Sequence, residues 1–134
     1  MDDLVFPISL ERQFQLWSFA VTHNVLLLRS PRDSKQATRI DLQFRVVEEM
    51  RLPSILDDLE IDVLHAGDTR LAELGAVARE DCLLFALRSR ELAGGYVLAR
   101  SLGLSEDDLS DQEPTSINNP ALRHRVVRIA GAGD

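Results

Sequence analysis

Period-two alternation is the clearest pattern along this chain. Thr38, Ile40, Leu42, Phe44 and Val46 fall on one face and Arg39, Asp41, Gln43 and Arg45 on the other, which predicts a half-buried strand over 38–46 with its charges in water. The preceding residues 15–29 are rich in aromatic and β-branched types and are broken by Thr22-His23-Asn24. Asn tolerates positive φ, so a hairpin follows: a strand at 16–21, a turn, and a strand at 25–30. Residues 30–36 collect turn-favouring types without periodicity and read as an exposed loop. Leu59, Ile61 and Val63 alternate with Glu60 and Asp62, predicting a fourth strand over 59–64.

Spacing changes at 69–80, where Leu71, Leu74, Val77 and Ala78 recur at intervals of three and four. That is a helical stripe, with Thr69 or Asp68 as N-cap and Gly75 as its weak point. Two apolar runs follow, 82–88 and 96–102, separated by Gly94-Gly95. The glycine pair suits a hairpin turn of unusual φ, and two adjacent glycines argue against a helix over 83–102. The sum is a mainly β fold: a single antiparallel sheet of about six strands with one or two short helices. Spacing alone leaves a barrel, an open sheet and a sandwich available, and α+β becomes the alternative if the glycines do not turn the chain. No repeat of solenoid or propeller length is present.

Composition narrows the class. With 134 residues, 45% hydrophobic and 28% charged, the chain has room for one core, read as a compact β-rich domain over 1–120 and an apolar, basic segment over 121–134 that forms a tail or an added edge strand. Apolar runs are far shorter than the roughly 18 residues of a membrane helix. An acidic start, Met1-Asp2-Asp3, lacks the pattern of an export signal, and the single Cys82 has no partner for an internal disulfide. A cytoplasmic protein is expected. The net charge of −7 repels phosphate backbones, so nucleic acid is not an expected partner.

Chemical motifs are sparse. His23, His65 and His124 fall in separate segments without a CxxC or paired histidines, so no metal, cofactor or catalytic residue is assigned. Cys82 opens a buried-looking apolar run and reads as core. No GxSxG elbow, Walker loop or GxGxxG occurs. Adjacent acids at Glu48-Glu49, Asp57-Asp58 and Asp107-Asp108 read as solvated surface rather than an acid–base pair.

Charge distribution is the remaining signal. Between 48 and 62, Glu48, Glu49, Asp57, Asp58, Glu60 and Asp62 face Arg51 alone, and a second acidic block spans 106–113. Together they suggest one negative surface for a protein partner. Leu122, Arg123, Arg125, Val126 and Arg128 form a second candidate, a docking segment that adds a strand to a sheet edge in this chain or in another copy. The expected function is therefore a non-enzymatic acidic interaction module (adaptor, neutralising or assembly subunit) binding another protein or itself. The alternative is a small-molecule site or enzyme in the mouth of a barrel, with Trp17, His23 and Tyr96 as its lining.

Overall fold

The computed structural model describes residues 2–118 and 126–131, and their backbone is mainly β. Strands run over Asp2–Asp3 (β1), Ile8–Ala20 (β2), Val25–Ser30 (β3), Arg39–Arg51 (β4), Ile55–Leu64 (β5), Leu83–Ser89 (β6), Leu92–Asp107 (β7) and Val126–Gly131 (β8). A short helix, α1 (Arg70–Leu74), and a 3₁₀ turn at Ser116–Asn118 complete them. The sheet order is β1-β8-β7-β4-β3-β2-β5-β6, and β6 pairs again with β7. Six strands, β2-β3-β4-β7-β6-β5, thus pair in a closed antiparallel ring. β8 lies against β7 beyond β6, and β1 pairs with it in parallel.

Alternation dictates what fills the ring. Phe14, Leu26, Leu28, Leu42, Phe44, Leu56, Ile61, Phe85, Leu87, Val97 and Leu102 are wholly buried in one cluster, and Phe44 meets Phe85 edge to face at 5.3 Å. Burying such side chains contributes roughly 1.5–3 kcal/mol each. A smaller cluster, Leu64, Leu74, Cys82, Leu84, Tyr96 and Leu98, forms where α1 packs outside the ring.

The predicted hairpin at 16–30 is present, with β2 starting eight residues earlier than the aromatic run implies. His23 and Asn24 both take positive φ in its turn. In β4 the alternation fails at Val46, predicted to point inward. This residue adopts φ 55° beside a register shift and is exposed, and Val47 takes the inward place. A bulge inserts one residue and exchanges the faces beyond it.

Two further expectations are corrected. The helix predicted over 69–80 ends at Leu74, because Gly75 turns left-handed (φ 68°), donating to Ala72 O while Ala76 N–H donates to Leu71 O. That closure terminates a helix, and Val77 beyond it is exposed. The hairpin over 83–102 exists, but its turn is Arg90-Glu91, with Ser89 opposite Leu92. Gly94 and Gly95 lie inside β7 instead. A Cβ on Gly95 would stand 2.9 Å from the Arg51 carbonyl oxygen, so the glycine is needed for close approach of strands rather than for turning. The sheet reading survives although its stated reason does not.

Candidate functional site

The polar face of the strand predicted over 38–46 was expected to lie in water, yet Arg39, Asp41 and Gln43 are buried, and the outer face of β3, β4 and β7 is the most thoroughly sealed charged region described. Arg29 and Asp41 stand opposite in the β3–β4 register, as do Arg39 and Asp107 between β4 and β7. Arg29 grips Asp41 with Nε and Nη2 at 2.7 and 3.1 Å, and Arg39 grips Asp107 at 3.0 and 3.1 Å. Arg39 and Asp41 are 0% exposed. Residues 108–118 cross this face as a strap and supply the missing acceptors. Arg39 Nη1 donates to the carbonyls of Ser110 and Glu113, its Nη2 to that of Pro114, and Arg29 Nη1 to that of Asp111. All five N–H groups of Arg39 are thereby matched, as burial of a guanidinium requires.

Asp107 shows the balance. Burial alone would raise its carboxyl pKa, but Arg39, the Ser116 hydroxyl and the Leu109 N–H hold it below the ordinary carboxylate range. The block over 106–113 is therefore only partly a negative surface: Asp107 is buried, while Glu106 accepts from Thr38 at 2.6 Å.

The acids between 48 and 62 are not opposed by Arg51 alone once the chain is folded. Glu48 lies 3.7 Å from Arg79, Glu60 3.8 Å from Arg88, and Asp62 2.9 Å from Arg70. Asp58 pairs with Arg90, Asp57 accepts from Gln13, and Glu49 accepts from the Tyr96 hydroxyl. Arg51 itself donates to Gly94 O and lies over the Tyr96 ring. A groove of about 490 Å³ between α1 and the β6–β7 hairpin is lined by Glu60, Asp62, Arg70, Arg88 and Arg90 among others, so its charges largely neutralise one another.

Trp17, His23 and Tyr96 do not share a pocket. Trp17 lies outside the ring against Arg29, 5.1 Å from the ring centroid. His23 is exposed in the β2–β3 turn, and Tyr96 belongs to the cluster beneath α1. Glu48, Asp81 and Cys82 bring one ligand atom each within 4.8 Å of one another. Arg79 already lies against both carboxylates, and burial followed by those two acids pushes the Cys82 thiol up, away from the thiolate a metal needs. Of the docking segment, Leu122, Arg123 and Arg125 lie outside the described residues. Val126 and Arg128 belong to β8, whose Arg128 pairs in register with Leu104 of β7.

What sequence reasoning passed over is the bare end of the β2–β3 hairpin. β5 pairs with β2 only as far as Gln15, and Leu16 N–H then meets Ser54 O at 2.7 Å. Beyond that, among the described residues, no strand pairs with β2 on the side away from β3. Trp17, Phe19 and Val21 are exposed there, Val21 by 81%. Val47 N–H donates to Asn24 O, which sets exposed Val46 beside the turn, and exposed Ile55 sits opposite Gln15. Met50, also exposed, lies on the end of β4 that leads into β5.

No family model, curated protein or solved structure matches this chain. One signal of the bare end was nonetheless readable: residues 13–28 contain no Asp, Glu, Lys or Arg, the longest such run in a chain that is 28% charged as a whole.

Proposed function

We propose that this chain is a non-catalytic protein-binding module of the cytoplasm, an adaptor, neutralising or assembly subunit, that meets its partner through the bare end of the β2–β3 hairpin. One observation carries the reading: Trp17, Phe19, Val21, Val46, Met50 and Ile55 are all exposed around an edge of β2 that, among the described residues, has no neighbouring strand. Exposed apolar side chains gathered at one end of a sheet mark interaction sites, and aromatic residues and Met are enriched in them. Glu48, Glu49, Asp57 and Asp58 flank these residues along β4 and β5, but Arg79 and Arg90 pair with Glu48 and Asp58, so the rim around the apolar side chains is largely neutralised. A buried free thiol at Cys82 suits a reducing compartment. A small-molecule site in the mouth of the ring has less behind it, because Phe14, Phe44 and Phe85 fill the centre.

The test is capture from the native cytoplasm by wild-type protein, by Phe19→Lys and by an Asp57→Lys/Asp58→Lys variant. A partner held by wild type should be lost about tenfold with Phe19→Lys, as for a central aromatic anchor, and less with the rim variant. Equal retention by wild type and Phe19→Lys, with both melting at the same temperature, removes this surface from the reading.

A further inference from the structure

We infer that the partner seated on this end is a second copy of the chain, joined across a two-fold axis by antiparallel pairing of the two β2 edges that no strand covers among the described residues; the inference rests on the protein-binding reading above. An unpaired edge presents backbone N–H and C=O groups that only another extended strand satisfies in series. Exposed edges are ordinarily guarded by Lys, Pro or inward-pointing charge, and none of these stands between Leu16 and Asn24.

Charge then selects the occupant. A chain of net charge −7 repels its own copies over most of its surface. Residues 13–28 carry no formal charge, so the two hairpins themselves bring no like charges together, and of the acids beside them Glu48 and Asp58 are already paired with Arg79 and Arg90. The edge is also self-complementary. Past the bulge at Trp17, Ser18, Phe19 and Ala20 pair regularly with Leu27, Leu26 and Val25, so the regular free edge is centred on Phe19. Two-fold pairing about that residue sets Phe19 against Phe19 of the second copy and Ser18 against Ala20, an aromatic pair flanked by small side chains.

Light scattering on the full chain, with Phe19→Lys and Phe19→Glu made separately, tests this. A weak dimer is expected from so short an edge, with a dissociation constant on the order of 10 μM. Wild type should approach twice the 15.0 kDa chain mass at ~200 μM and fall towards one chain at ~1 μM. Each variant alone should stay at the mass of one chain, since like charges would meet on the axis, and an equimolar mixture of the two should recover the dimer. A melting temperature equal to that of wild type at ~1 μM, where wild type is largely one chain, shows that each variant is folded. A wild type that keeps the mass of one chain throughout, or a dimer that persists in both single variants, overturns the inference. Should wild type be monomeric while Phe19→Lys still loses a captured partner, self-pairing falls and the protein-binding reading stands.

Discussion

On the outer face of β3, β4 and β7, four charged side chains are sealed from water, whereas at the end of the same sheet Trp17, Phe19 and Val21 stand in it. Polarity alone predicts the reverse. What separates the two regions is cover. The strap brings backbone carbonyls to Arg29 and Arg39 at 2.7–3.1 Å, so the desolvated guanidiniums find acceptors for the donors they lose to burial. The hairpin end has no strap and no neighbouring strand among the described residues, and its apolar side chains remain available to another molecule.

Breaking the sealed region has the largest expected effect. Arg39→Met leaves Asp107 buried without its cation and deprives three strap carbonyls of their donor, which should destabilise the fold by about 3–5 kcal/mol in urea unfolding. Adding Asp107→Leu to that variant should recover part of the loss, because the buried carboxylate without a cation is removed while the strap carbonyls stay without their donor. A single variant within about 0.5 kcal/mol of wild type would show that the strap is held by something other than Arg39.

Acid probes the same contacts more gently. Asp107 binds its proton less readily in the folded chain than in the unfolded one, so its contribution is complete above the unfolded carboxylate value of about 4 and disappears as pH falls through the lower folded value. Stability at pH 5 to 7 should therefore keep that contribution intact, with a decline below about pH 4 that is shallower in Asp107→Asn than in wild type. Parallel acid limbs for the two proteins, followed by thermal melts, would remove Asp107 from the cause.

Much of the ring was legible in the chain because period-two patterning needs only neighbours: Leu42 and Phe44 turned inward as read. What failed depended on residues far away in sequence. Arg39 and Asp41 alternate with apolar positions as any wet face does, and nothing local announces that residues 108–118 return to cover them. The acids from Glu48 to Asp62 looked unopposed because their arginines, Arg70, Arg79, Arg88 and Arg90, arrive from later segments. The bare end left a local trace in its missing charges. That it stays bare depends on where β5 stops pairing with β2, which alternation does not encode.

The smallest expected effect lies at the one place where the sealed region is imperfect. Ser105, opposite Asp41 in the β4–β7 register and wholly buried, carries the only buried side-chain oxygen or nitrogen among the described residues without a hydrogen-bond partner. An unsatisfied hydroxyl loses its hydration and gains nothing in return, whereas alanine fits the same space with no polar atom. Ser105→Ala should therefore stabilise the chain by about 1 kcal/mol, read as a rise in the urea midpoint at unchanged slope. A loss of stability would mean that the hydroxyl is partnered in solution, and that the charged face under the strap is satisfied throughout.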